Sequence, residues 1–315
     1  MLNPSQLKNL AVKLEADFGF ADNIEFTIEV NPETVTPKIL ASWQQIGINR
    51  ISMGVQSLNQ KSLDFLGRIH SVEKARKAFG MIRDAGFENV SIDLIYGYLT
   101  QDPIEEWEQT LHEVIRWNPE HVSAYSLIIE EDTPFNSRTQ SGENLKVDDS
   151  IEAMQYEKVM DLLVDAGYKH YEVSNWAKEG FECRHNISYW DDSSYLGIGP
   201  SAHGYDSKSQ RRYWNYREID PWRNQVNTTG NGIDSSEVLT SLQRFEERVM
   251  LGLRMIDGIG EEILQGAAEE AGKLWPPAKL DVFIREGFLE RVGINLKYTR
   301  KGLMLANSIE VELTE

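Results

Sequence analysis

The sequence predicts an α/β protein: an open or partial barrel, or a doubly wound sheet, followed by a mainly helical, winged-helix-like domain. Three observations carry this. Helix-like and strand-like segments alternate at spacings of about 30–50 residues, as βαβ units do. Glycine or asparagine closes most of the helices, where a left-handed residue past the last turn is favoured. The strand-like runs are short, apolar and rich in β-branched or aromatic residues, with little polar alternation, as in a parallel sheet covered on both faces.

The chain opens on an amphipathic helix, in which Leu7, Leu10, Val12 and Leu14 mix with Lys8, Lys13 and Glu15. Pro4 after Asn3 suits its first turn. IEFTIEV then reads as a strand. Residues 38–46 read as a helix, Gly47 stops it, and INRISMGV follows as a strand. Residues 72–85, Gly86 and FENVSIDLIYG repeat the pattern, as do residues 103–117, Asn118-Pro119 and HVSAYSLIIE. A fourth repeat is 151–166, Gly167 and YKHYEVS. Five strands before residue 180 are too few for a closed eight-stranded barrel.

Residues 183–221 change character, crowding Tyr, Trp, Asn, Ser and Gly into what reads as a binding loop or a rigid extended cap. Residues 222–238, WRNQVNTTGNGIDSSEV, read as a polar linker. From Leu239 a helix resumes; a DGIG turn and a second helix follow, and FIREGFLERVGINLKYTRKGLML reads as helix, strand, turn, strand. The expected domains are therefore 1–221, a linker at 222–238, and 239–315.

The chain has 315 residues, 32 basic and 50 acidic, for a net charge of −18. An acidic surface opposes nucleic-acid binding, since like charges repel at the phosphate backbone. The lone cysteine, Cys183, excludes an internal disulfide framework and any multi-cysteine metal cluster held by this chain alone, and suits a reducing cytoplasm. No run approaches the roughly 20 apolar residues that span a bilayer, and the first 20 residues lack the regions of a signal peptide.

The carboxyl ends of the strands, where function gathers in such folds, hold Glu29 and Asn31, Gln56 and Ser57, Asp93 and Tyr96, and Ser126 and Glu130. Each alone reads most simply as a solvated loop residue; their convergence favours a ligand. Arg68 could clamp a carboxylate bidentately or form a surface ion pair, and His70 carries a weaker signal. Cys183 and His185 cannot complete a tetrahedral zinc site. His185 beside Tyr189 and Trp190 fits either a hydrogen-bonded structural histidine on an aromatic loop or an axial haem ligand, with His203 a second imidazole. GIGPSAHG lacks the lysine of a phosphate loop and the dinucleotide fingerprint.

The runs EVNPETV, RISMGVQSLNQKSLDFLGRIHS, VSIDLIYGYLTQD, VSAYSLIIEEDTPF, YEVSNWAKEGFECRHNISYW and YLGIGPSAH resemble the oxygen-independent coproporphyrinogen III oxidase-like branch of radical S-adenosylmethionine proteins. Among these, HNISYW matches the H-N-x-x-Y-W signature of the haem chaperones (HemW) of that branch. The resemblance covers nearly the whole chain. It implies a partial (β/α) TIM-like barrel lacking its first strands. It implies that Glu29, Gln56, Arg68 and Asp93 contact S-adenosylmethionine. It implies that His185, Asn186, Tyr189 and Trp190 form a haem segment, with His185 a candidate iron ligand.

Members of the branch hold a [4Fe–4S] cluster on a C-x3-C-x2-C loop and meet the methionine group with a glycine-rich loop. Neither motif occurs here, and roughly 60 residues, about two βα units, are expected to be missing ahead of Met1. Catalysis by this chain is accordingly not expected. The function implied is haem binding for delivery to a haem-accepting protein, without nucleic acid or a transmembrane span and with room for peripheral membrane contact. Conversion of coproporphyrinogen III to protoporphyrinogen IX, and a non-functional truncated fragment, are the alternatives.

Overall fold

The computed structural model describes residues 2–315. It divides into two compact units, 1–182 and 183–315.

The first unit runs α1 (Pro4–Phe18), β1 (Thr27–Val30), α2 (Pro37–Ile46), β2 (Arg50–Gln56), α3 (Gln60–Phe65), α4 (Val72–Asp84), β3 (Asn89–Tyr96), α5 (Pro103–Trp117), β4 (His121–Ser126), α6 (Pro134–Gln140), α7 (Asp149–Asp165), β5 (Lys169–Glu172) and β6 (Asn175–Ala177). Asn3, Thr36, Ser71 and Asp102 accept backbone N–H bonds at their helix starts. Gly47 and Asn118 end helices at left-handed φ of 93° and 56°.

The sheet is open, in the order β1-β2-β3-β4-β6-β5. Its first four strands are parallel, as expected. The last two depart from expectation: β6 pairs antiparallel with both β4 and β5. The run YKHYEVS is therefore the edge, and the unpredicted β6 returns between it and β4. A two-residue connection from β5 permits only an antiparallel return.

A second departure concerns the faces. The strands do alternate. Ile51, Met53, Val55, Val90, Ile92, Leu94, Val122, Ala124 and Trp176 are buried on one face. There Tyr96 meets Trp107 of α5 at 5.4 Å and Tyr156 of α7 at 6.4 Å between ring centroids, and the Trp107 indole N–H donates to the Gln155 carbonyl at 2.8 Å. The register puts Glu29, Ser52 and Ser91 in one row with His121, and Gly54, Asp93, Ser123 and Asn175 in the next, all on the other face. That face is polar, although seven β-strand residues of its N-terminal half and edge are buried: Arg50, Ser52, Ser91, His121, Ser123, Glu172 and Asn175. Apolar cover on both faces is thus corrected to an apolar outer face and a polar inner one.

The second unit runs α8 (Arg184–Trp190), β7 (His203–Asp206), β8 (Arg211–Asn215), α9 (Ile219–Thr229), β9 (Ile233–Val238), α10 (Ser241–Arg254), β10 (Ile259–Gly260), α11 (Glu261–Glu270), α12 (Pro277–Arg285), β11 (Leu289–Val292), β12 (Asn295–Tyr298), α13 (Arg300–Leu303) and α14 (Ala306–Thr314). Strands β7, β8 and β9 make one antiparallel sheet. The expected linker at 222–238 is therefore mostly helix α9 and strand β9, and the division falls after Glu182 rather than at 221. Polar composition misled there because an edge strand with a wet face needs few apolar residues. The C-terminal part has its own core around Phe245, Val249, Leu253, Leu264, Leu280, Leu296 and Ile309, with the sheet order β10-β12-β11. That agrees with the winged-helix-like expectation.

Candidate functional site

Of the predicted strand-end residues, the polar face of the first unit carries Glu29 and Asp93, with Gln56 beside them at the end of β2. Asp93, on β3, is partly buried and accepts hydrogen bonds from Ser52 Oγ at 2.9 and 3.1 Å and from Ser91 Oγ at 3.2 Å. Ser91 Oγ lies 2.8 Å from His121 Nδ1, and His121 Nε2 lies 2.8 Å from the Tyr171 hydroxyl. Burial raises the Asp93 carboxyl above the usual aspartate range, and the nearby Glu29 charge adds to this; the Ser52 hydroxyl and the Arg50 guanidinium oppose it. Partial burial also pushes the phenol of Tyr125, whose side chain still reaches the surface, up to about 12, with the Asp93 charge contributing.

Gln56 stands at the end of β2, where a bulge between Gly54 and Gln56 re-aims the strand and Gln56 takes a φ of 69°. Its amide folds back over Gly54, where a Cβ would meet Gln56 Nε2 at 2.8 Å. Glu29 is exposed at the end of β1, in register with Ser52. Arg68 follows α3, with its backbone N–H on the Leu63 carbonyl. Its Nε is buried and without a hydrogen-bond partner. Such an orphaned donor is costly unless an acceptor arrives.

Other strand-end candidates fall outside this face. Tyr96 is buried under α5 and α7. Ser126 donates to Glu152 of α7, and Glu130 is exposed beyond β4. His70 is buried, its Nε2 3.1 Å from the Val55 carbonyl and its Nδ1 3.6 Å from Glu33, so it braces β2. Sequence reasoning missed Ser52, Ser91, His121 and Tyr171. The alternation within RISMGVQ, SIDLIY and HVSAYS could have found the first three. Tyr171 follows from the bulge between His170 and Glu172, which no pattern announces.

In the second unit HNISYW is helical, not a loop. The i,i+4 spacing splits the motif in two. His185 and Tyr189 are exposed; their rings meet edge-on at 4.9 Å, with the Tyr189 hydroxyl 2.9 Å from His185 Nε2. Asn186 and Trp190 are less exposed. The Arg254 guanidinium lies over the Trp190 ring at 5.8 Å, and the Trp190 indole N–H is buried without an acceptor. Tyr189 continues an aromatic ladder to Tyr195 at 4.7 Å and on to Tyr205 at 6.2 Å. Leu196 and Ile198, which follow Tyr195, are 66% and 58% exposed. GIGPSAHG is a structural turn: Asn215 Nδ2 donates to the Gly199 carbonyl at 2.7 Å, the Gly197 N–H donates to Tyr213, and His203 is exposed on β7.

The residues present suit some groups and not others. Among the described residues no group of three or more His, Cys, Asp and Glu could hold a metal ion, and the chain's one cysteine cannot supply three thiolates. A [4Fe–4S] cluster therefore does not fit this chain's residues alone. No helix among the described residues is long and apolar enough to cross a membrane.

Residues 2–114 match the Radical SAM superfamily. The heme chaperone HemW of Lactococcus lactis is 31% identical over 313 residues, 98% of this chain and 80% of that protein. HemW of Mycobacterium tuberculosis is 32% identical over 309 residues, 98% of this chain and 76% of that protein. Among solved structures, the coproporphyrinogen III oxidase HemN of Escherichia coli superposes with a TM-score of 0.79 at 22% identity, over 98% of this chain and 74% of that one. That likeness shows a TIM-like α/β fold. With nearly full coverage by relatives above 30% identity, the chain belongs to the HemW/HemN-like branch of the radical SAM superfamily.

Proposed function

We propose that this chain is a haem-binding protein of the chaperone type, carrying haem on helix α8 for delivery to an acceptor protein. The observation that carries this reading is the exposed His185–Tyr189 pair on HNISYW, with its aromatic ladder and the exposed Leu196 and Ile198. When bound, haem would draw its iron ligand from an imidazole nitrogen and its cover from apolar side chains. His185 would supply the nitrogen, Tyr189 would orient the ring, and Asn186 and Trp190 would support the helix. The names of the relatives support the reading, and the single cysteine accords with a reducing cytoplasm.

The strand-end face is proposed to bind S-adenosylmethionine. Asp93 and Glu29 would accept from hydroxyl or ammonium donors, Gln56 would donate and accept, and Arg68 would offer its orphaned Nε to a carboxylate. No reductive step is assigned, because the cluster does not fit the residues present.

The test is a haem titration of the purified chain. A Soret shift is expected, and His185→Ala should weaken binding about tenfold, as loss of one axial ligand or strong polar contact would. No Soret shift on adding haem overturns the reading.

A further inference from the structure

The polar face holds a hydrogen-bond chain whose direction is set by the protonation state of Asp93. Tyr171, His121 and Ser91 are at most 2% exposed, so water does not compete for their protons. Burial pushes the His121 imidazole well below its usual range, which leaves it neutral with one N–H to give. The Ser91 hydroxyl has one proton, and an ionised Asp93 can only accept it. The serine oxygen must then accept from His121 Nδ1–H at 2.8 Å. That leaves His121 Nε2 bare, to accept from the Tyr171 hydroxyl at 2.8 Å. Each proton is thus committed one step toward the carboxylate. Ser52 donates to both carboxylate oxygens from the neighbouring strand, and the buried Arg50 lies within electrostatic reach.

We propose that Tyr171, His121 and Ser91 are positioning residues: their chain fixes Asp93 as an ionised, acceptor-only group, so that the site selects ligands presenting hydroxyl or ammonium donors. The bulge in β5 is the device that brings Tyr171 to His121. The reverse arrangement, with a protonated Asp93 donating to Ser91, would give His121 the opposite tautomer. It would present a donor to the ligand instead. The inference rests on the S-adenosylmethionine reading of this face for its ligand.

The experiment compares the full chain with Tyr171→Phe, Ser91→Ala and the double variant. Long-range 15N–1H spectra of the imidazole should show the Nδ1–H tautomer for His121 in the unmodified chain and in Tyr171→Phe, and lose it in Ser91→Ala. Titration with S-adenosylmethionine should show each single variant binding about tenfold more weakly. The double variant should bind no more weakly than the singles, because both cut one chain. A merely structural role would lower the melting temperature without moving the tautomer. The Nε2–H tautomer in the unmodified chain overturns the inference, even if a variant fails to fold. So do folded variants of unchanged affinity, or losses that add. An unmodified chain that binds no S-adenosylmethionine overturns the ligand reading and this inference with it. Binding that persists unchanged in the variants overturns the inference alone.

Discussion

Asp93 was legible in the sequence as a strand-end carboxylate; its environment was not. Its raised carboxyl means that the folded state holds the proton more tightly than the unfolded chain. Between the ordinary aspartate pKa and the raised one, the folded state binds more protons, so its contribution to stability falls as pH rises through that window. Asp93→Asn should therefore raise the melting temperature at pH 7 while abolishing S-adenosylmethionine binding. Scanning calorimetry beside a ligand titration checks both signs; a lower melting temperature refutes the first. His170, stacked on Trp176 at 4.3 Å, works oppositely. Burial lowers it to about 4 from 6.5. In that window the unfolded chain takes up a proton that the fold refuses, so stability falls as pH drops from 6.5 to 4. His121 adds in the same direction. The stability–pH slope in that window should flatten in His170→Gln.

At the scale of the element, helix boundaries were readable because capping chemistry is local. Residues 103–117 were expected and observed as a helix, since Asp102 caps one end and Asn118 closes the other. The α8 helix was not readable. It spans seven residues, has no side-chain N-cap bond, and its aromatic residues favour extended backbone. Its helicity matters to the proposed haem segment because it puts His185 under Tyr189 and Asn186 under Trp190. The turn after it depends on close backbone approach. A Cβ on Gly197 would lie 2.3 Å from the His203 carbonyl oxygen, which is backbone and cannot swing away. Gly197→Ala should cost about 2 kcal/mol or more, seen as a lower melting temperature and weakened haem binding. Unchanged stability would mean that the turn is not packed this way.

At the scale of the whole molecule, charge governs encounter more than affinity. The chain carries −18, and haem brings two ionised propionates. On the proposed haem-binding reading, their mutual repulsion would slow association at low salt and be screened as ionic strength rises. Stopped-flow haem binding should therefore speed up roughly twofold or more between low and physiological salt. A rate that falls with salt would point to a local basic patch steering the porphyrin instead. The same field predicts no retardation of duplex DNA by this chain, despite the winged-helix-like order of its C-terminal elements.

The alternation of elements, their caps, the fold class and the family were written in the chain itself. These depend on contacts between residues near in sequence, or on motifs that survive intact. Tertiary structure alone decided which strand face is polar, where the two units divide, and that His121 and Tyr171 stand behind Asp93. The pairing of β4 with β6 and the bulge in β5 join residues about 50 positions apart. Register between such strands is set by the packing of a whole face, and a shift of one residue would turn every side chain to the other side.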